Sequence, residues 1–121
     1  KAIQYFPNFN HAFLFRGISK MYLNDKTGAI NDYNVAIQLN PKFIEAYINR
    51  GMVLYDTGNK TAAINDFTMA IILDDKNNFA YYYRAVIKYD LSDKKNACID
   101  IKQALLLGYQ DANNLIDKYC K

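Results

Sequence analysis

Tryptophan is absent from these 121 residues, His11 is the only histidine and Glu45 the only glutamate. No Cys–His, Ser–His–Asp or paired-carboxylate arrangement can be built with regular spacing. Two cysteines and one distant histidine give too few ligands for a structural zinc site. No glycine-rich phosphate loop is present. Nothing in the residues asks for a cofactor or a metal. No apolar run approaches the roughly 18 residues of a membrane span, and no signal peptide is visible. Neither charge sign forms a block. The net charge of +3 is a weak basic bias, short of the clustered patch that marks a nucleic-acid binder. Two cysteines, Cys98 and Cys120, are too few to build a disulfide scaffold.

What the chain does have is internal repetition. Ala2-Ile3-Gln4 returns as Ala36-Ile37-Gln38, and Pro7 as Pro41. The same 34-residue offset joins Arg16, Arg50 and Arg84, and joins Gly17, Gly51 and Ala85. It joins Ala29, Ala63 and Ala97, then Ala36, Ala70 and Ala104, then Leu39, Leu73 and Leu107. A fixed period of this size is the signature of a stacked repeat architecture. Three full units follow, at 10–43, 44–77 and 78–111.

Each unit divides into two helical stretches. In the second, Tyr47, Gly51 and Leu54 keep to one helix face, Asp56-Thr57-Gly58-Asn59 breaks the pattern, and Ala63, Phe67, Ala70 and Ile71 resume it. Asn24-Asp25 and Ser92-Asp93 turn the other two units. Pro41 marks the junction of units one and two, since proline cannot continue a helix interior. Glycine inside a helix costs about 1 kcal/mol relative to alanine, so Gly17 and Gly51 need a packing reason. Close approach of the second helix, with its small Ala29 and Ala36 or Ala63 and Ala70, supplies one. Phe13, Tyr47 and Tyr81 on the first helices, and Tyr33 and Phe67 on the second, fill the flanks.

These residues resemble the tetratricopeptide repeat (TPR). In unit two the match is Tyr47, Gly51, Ala63, Phe67 and Ala70; in unit one it is Phe13, Gly17, Ala29, Tyr33, Ala36 and Pro41. Unit three departs, with Ala85 for Gly, Ile101 for the aromatic and Tyr109 where Pro is expected. Asp75 replaces the Pro of unit two, so a different bend is expected at that junction. The resemblance implies an all-α fold: a right-handed α-solenoid of antiparallel helix pairs, with three TPR hairpins, a partial preceding repeat and a C-terminal capping helix.

At the ends, residues 1–9 read as the tail of an earlier unit, through Ala2, Ile3 and Pro7, and so as part of a longer repeat protein; the bland alternative is a short lead-in helix. Residues 112–121 read as the cap, with Ala112, Leu115, Ile116 and Tyr119 at helical spacing. A last hairpin cannot cover its own apolar face and needs such a closure. The stretch from Ala97-Cys98 to Tyr119-Cys120 resembles the close of many bacterial TPR proteins. Cys98 stands in the column of Ile30 and Ile64, a buried apolar role, and Cys120 lies on the cap that should cover it. A Cys98–Cys120 bridge and two free thiols both remain open.

Arg16, Arg50 and Arg84 are each followed 16 residues later by Asp32, Asp66 and Asp100. In a hairpin turning near its middle these positions face each other, and a planar guanidinium suits a carboxylate. Structural ion pairs are expected; three arginines lining an anion site are the alternative. The opposite face of the first helices is apolar too, in three columns: Leu14, Ile48 and Tyr82; Ile18, Met52 and Val86; Met21, Tyr55 and Tyr89. A surface helix ordinarily has one apolar stripe, so these helices have more to bury.

In TPR proteins the first helices line the concave surface, where peptides or partner helices lie. By that resemblance the columns form a groove floor, with contacts expected from Leu14, Ile48, Asn49, Met52, Tyr55, Tyr82, Tyr83 and Tyr89. Packing of each first helix on its neighbours competes as an explanation. The middle column is expected to be structural and the tyrosine-bearing columns exposed. TPR domains that grip acidic chaperone tails use Lys, Arg and Asn in the groove; Leu14, Ile18, Phe79 and Tyr83 stand at those positions here, and only Asn49 agrees. The chain thus reads as a non-catalytic scaffold for a protein or peptide partner, with neither nucleic acid nor membrane expected as partner. Self-association through the open N-terminal end, and an accessory domain of a larger protein, are the alternatives.

Overall fold

The computed structural model describes residues 8–121. Six long helices run in order: α1 Asn8–Tyr22, α2 Lys26–Leu39, α3 Ile44–Asp56, α4 Lys60–Leu73, α5 Asn78–Asp90 and α6 Lys94–Leu106. A 3₁₀ segment, Gln110–Leu115, and a short helix α7, Ile116–Cys120, close the chain. Among the described residues there is no strand. α1 packs on α2, α3 on α4 and α5 on α6, and α2–α3 and α4–α5 contacts join the hairpins into a stack. α1 is already helical at Asn8, two residues ahead of the unit boundary read from the sequence. Ala2, Ile3 and Pro7 lie outside the described residues.

The three hairpin turns are built alike. Each first helix is followed by a residue in the left-handed region: Asn24 (φ 61°), Gly58 (φ 90°) and Ser92 (φ 66°). The next N–H then reaches back to the carbonyl five residues earlier: Asp25 to Lys20 at 2.7 Å, Asn59 to Leu54 at 2.8 Å and Asp93 to Lys88 at 2.9 Å. This reversal satisfies carbonyls that the helix end leaves open. Asp25 and Asp93 also cap the second helices, their carboxylates accepting from the Gly28 and Asn96 amides at 3.0 and 3.4 Å.

The seam between paired helices is tight. A Cβ on Gly17 would sit 2.6 Å from Tyr33 Cε1, and one on Gly51 would sit 3.0 Å from Phe67 Cε2. Unit three carries Ala85 where the others have glycine, and there the facing ring is replaced by Ile101, with both side chains fully buried. The two departures from the TPR pattern therefore compensate each other: the added methyl takes space that the missing ring releases.

The junction between units two and three does not bend differently, contrary to the expectation from Asp75. Asn40 and Asp74 end α2 and α4 with nearly the same backbone, −146°/92° and −150°/96°. Their side chains accept from Lys42 N and Lys76 N, each at 3.1 Å. The Asx turn at Asn40 or Asp74 makes the junction; the following proline is compatible with it but not required.

Three buried clusters run along the stack. Leu14, Tyr33, Phe43 and Val53 hold the first two units together, and Phe67, Ala80 and Ile87 the second and third. Ala85, Ile101, Ala112 and Tyr119 join the last hairpin to the cap. The cap is not the single helix expected over 112–121. Asp111, Asn113 and Asn114 compete for local backbone bonds and disfavour regular helix, so the chain passes through 3₁₀ geometry before α7 forms. Cys98 and Cys120 are joined as a disulfide, Cα to Cα 4.9 Å, fixing α7 to α6.

Candidate functional site

The arginine column is a structural ladder. Arg16 grips Asp32 through Nε and a terminal nitrogen at 2.9 and 2.7 Å, Arg50 grips Asp66 at 2.9 and 2.7 Å, and Arg84 grips Asp100 at 2.7 and 2.8 Å. The three aspartates are buried. Each guanidinium also lies over the ring three residues before it: Phe13 at 5.2 Å, Tyr47 at 5.7 Å and Tyr81 at 5.7 Å. Hydrogen bonds from Arg16, and then from Lys20, hold the Asp32 carboxyl below its ordinary range.

Two parts of the ladder escaped sequence reasoning. Lys20 and Lys88 add a second cation to Asp32 and Asp100, at 3.1 and 2.9 Å. Arg50 donates onward to Asn34 at 2.9 Å, and Arg84 to Thr68 at 3.2 Å. Those links cross from one hairpin to the one before it. The signal was a polar residue 16 positions ahead of Arg50 and of Arg84. An anion site would need uncommitted guanidinium donors; here Arg50 and Arg84 spend theirs on protein.

The row of first helices has two different halves. Along α1 and α3, Ile18, Met21, Tyr22, Asn49 and Met52 line a cleft of ≈ 190 Å³, with Tyr33 and Val53 beneath. Tyr22 is 86% exposed, Phe15 59% and Met52 36%. Phe15, Ile18 and Tyr22 share one face of α1 by their spacing. Phe15 and Tyr22 were missed from the sequence because their unit-two equivalents are Asn49 and Asp56, so neither column is apolar throughout.

Along α3, α5 and the cap the lining is aromatic and more enclosed. Tyr55 donates to the Asp90 carboxylate across the α3–α5 boundary. Burial, and then that bond, raise its phenol to about 12. Tyr83 stacks on Phe67 at 5.7 Å and packs on Phe79 at 4.6 Å, and Tyr82 meets Tyr109 at 4.5 Å. Tyr89 stacks on Tyr119 at 4.2 Å, and the Lys118 ammonium sits 5.1 Å from its ring centre. Burial is the first cause that raises Tyr82 and Tyr109 as well.

The eight groove residues named from sequence therefore divide. Leu14 is 5% exposed and belongs to the core, because α1 turns that position onto Phe43 and Ala46. Ile48 packs half-buried against the second cluster. Asn49 and Met52 line the open cleft, with Asn49 Nδ2 donating to the Glu45 carbonyl at 2.7 Å. Tyr55, Tyr82, Tyr83 and Tyr89 are half-buried. Thus Met52, from the column expected to be structural, is more exposed than any of these four tyrosines. The tyrosines are held by one another and by the cap.

The chain's likenesses agree with this geometry. A family model described as TPR repeat matches residues 20–58, and one described as tetratricopeptide repeat matches residues 44–77. Comparison with curated proteins finds no match. Among solved structures, the first TPR of Spaghetti (RPAP3) bound to HSP90 peptide SRMEEVD superposes with a TM-score of 0.89 at 19% identity, covering 93% of this chain and 91% of that one. The Arabidopsis OM64 TPR domain gives 0.85 at 27%, covering 91% and 93%. The first TPR domain of human RPAP3 gives 0.86 at 20%, covering 94% and 91%.

Proposed function

We propose, from the premise that this chain is a tetratricopeptide repeat protein, that it holds a partner polypeptide along the row formed by α1, α3 and α5. Repeats of this family are in general non-catalytic scaffolds for protein–protein interaction. The observation that carries the reading is the exposed apolar cleft between α1 and α3, lined by Tyr22 and Met52, with Phe15 exposed on the same helix. Aromatic and methionine side chains contribute large contact area at interfaces. Affinity comes mainly from burying them, as at other interface hot spots.

The acidic tail of the SRMEEVD type is the wrong occupant. Leu14 is in the core, Tyr83 is stacked on Phe67, and Ile18 and Phe79 bring no charge. A carboxylate placed there would lose its water without gaining charge-assisted bonds. The peptide SRMEEVD is expected not to bind, by fluorescence anisotropy, at concentrations up to the millimolar range; micromolar binding overturns the assignment.

The function is tested by quantitative affinity purification with the wild-type chain and with a Phe15→Asp/Met52→Asp variant whose circular dichroism and thermal melt match the wild type. Proteins retained by the first and lost by the second are the expected result. An unchanged set of retained proteins refutes the assignment of this face. A self-associating stack is the second reading, favoured by Phe15, Tyr22 and Leu23, all exposed on or just after α1. Light scattering that shows a strict monomer at high concentration excludes it.

A further inference from the structure

We infer that the Cys98–Cys120 bond is a thiol-operated latch on the cap. A small acidic thiol that enters the recess beside the bond opens it, and the cap then lifts from the end of the stack and uncovers Tyr89.

The cap docks rather than folding by itself. Asp111, Asn113 and Asn114 divert it through 3₁₀ geometry, and α7 has only 5 residues. A helix that short is not stable alone in water. Ala112 and Tyr119 are the cap's buried side chains, set against Ala85, Ile101 and Ala104, while Leu115 and Ile116 are half-buried. The bond fastens the residue after Tyr119 to α6, across a separation of 22 residues. A cross-link over a loop of that size favours the docked state by about a hundredfold or more. Fastened, the cap keeps Tyr119 stacked on Tyr89 and the Lys118 ammonium over the same ring. Released, it leaves that ring and the cluster around Ala85 and Ile101 to water.

The bond is also within reach of a reductant. Cys98 and Cys120 are half-buried and border a recess of ≈ 440 Å³, shared with Ile99, Lys94, Lys95 and Lys121. Ile99 is 57% exposed, so the recess lies at the surface. Lys121 pairs with Asp117 at 3.1 Å, whereas Lys94 and Lys95 form no salt bridge among the described residues. Thiol exchange proceeds through a thiolate, and unpaired ammonium groups draw an anion to the sulfurs. One thiolate attacks a sulfur of the bond, forms a mixed disulfide and expels the other cysteine as a thiolate. A second thiolate attacks the small molecule's sulfur in that mixed disulfide and frees the second cysteine. Two small thiols thereby become one disulfide, two electrons pass to the protein sulfurs, and the two protons end on Cys98 and Cys120.

The test treats the oxidised, folded chain in native buffer with glutathione, whose carboxylates add to its thiolate charge, or with cysteamine, whose ammonium cancels it. Opening of the bond is followed by alkylation and mass, and the cap by amide hydrogen exchange. The bond should open while far-UV circular dichroism stays native. Amides of residues 110–120 should then exchange about a hundredfold faster, those of residues 8–73 should not change, and reoxidation of the same sample should restore protection. A Cys98→Ser/Cys120→Ser variant should show the fast exchange without any thiol and no response to one. Lys94→Gln/Lys95→Gln should slow opening by glutathione about threefold and leave cysteamine unaffected. A bond that opens only in denaturant overturns the inference, as does a reduced chain whose cap amides exchange unchanged. So does exchange that rises equally through all six long helices, which would make the bond a staple of the whole fold. An equal effect of the lysine substitutions on both thiols overturns the assignment of the recess to an acidic thiol.

Discussion

Transplanting the seam of unit three into unit one tests how the repeats are packed. A Cβ at Gly17 would lie 2.6, 2.9 and 3.1 Å from Cε1, Cδ1 and Cζ of Tyr33. All three clashes are with one ring. Gly17→Ala alone gains about 1 kcal/mol of helix propensity and loses about 1–3 kcal/mol to overpacking, for a net destabilisation of about 0–2 kcal/mol. Tyr33 is fully buried, so Tyr33→Ile alone opens a void. Truncating a buried aromatic to alanine costs about 3–5 kcal/mol; isoleucine keeps part of that volume, and about 2 kcal/mol is expected. The double substitution recreates Ala85 against Ile101. The methyl then fills space the ring has vacated, the clash disappears, and the propensity gain is kept.

The double variant should therefore be more stable than the sum of the singles by about 1–2 kcal/mol, inside the range seen for touching residues. Urea denaturation followed by far-UV circular dichroism on the four proteins of the cycle measures this. Additivity within about 0.4 kcal/mol refutes the reasoning. So does a Gly17→Ala variant that is more stable than wild type, since it would mean that the ring moves aside without cost.

Three further outcomes are expected. Ser92 holds the left-handed position that Gly58 fills in unit two, so Ser92→Gly should raise stability by up to about 1 kcal/mol; a loss of stability in denaturant melts counts against strain at that turn. Asp66→Ala strands the half-buried Arg50 guanidinium and should cost about 2–3 kcal/mol, discounted from the figure for a fully buried pair; a change under 1 kcal/mol would show the ladder to be dispensable. Stability should also fall at both extremes of pH. Asp32 is held low by Arg16, so its contribution is present above the ordinary aspartate range and is lost as pH falls through its folded value. Tyr33, Tyr55 and Tyr119 are raised to about 12. Their contribution is full below about pH 10, the value for an unfolded tyrosine, and disappears as pH rises through 12. Phenolate absorbance should show these tyrosines ionising only as the helices melt; early ionisation of all the tyrosines contradicts their burial.

The hairpins were legible because a 34-residue period makes one column of residues share one environment. Gly17 and Gly51, Tyr33 and Phe67, and the arginine and aspartate columns could be paired on paper for that reason. What the period hides is how environments differ from unit to unit. Leu14, Ile48 and Tyr82 form one column, yet Leu14 is core and Tyr82 lies half-buried against Tyr109. Tyr89 belongs to the column of Met21 and Tyr55, but only Tyr89 meets the cap. Met52 keeps more of its surface than Tyr55, Tyr82, Tyr83 or Tyr89, at the open cleft it shares with Tyr22. Phe15 and Tyr22 were invisible to column averaging for the opposite reason: their columns turn polar in unit two, at Asn49 and Asp56. The 3₁₀ start of the cap lay outside the period altogether and depended on the local chemistry of Asp111, Asn113 and Asn114.

The ladder and the binding face are mechanically one object. Arg50 joins α3 to Asp66 in its own hairpin and to Asn34 in the hairpin before it, and Arg84 does the same through Asp100 and Thr68. Tyr55 and Asp90 tie α3 to α5 on the other side. α3 and α5 are therefore held from both faces, and their spacing is set before any partner arrives. A surface ordered in advance does not charge its ordering entropy against binding. On the proposed reading, such a row offers a partner a fixed surface rather than an adaptable one. Weakening the ladder, as in Asp66→Ala, should accordingly lower affinity for a groove ligand even where the variant stays folded and no contact residue has changed.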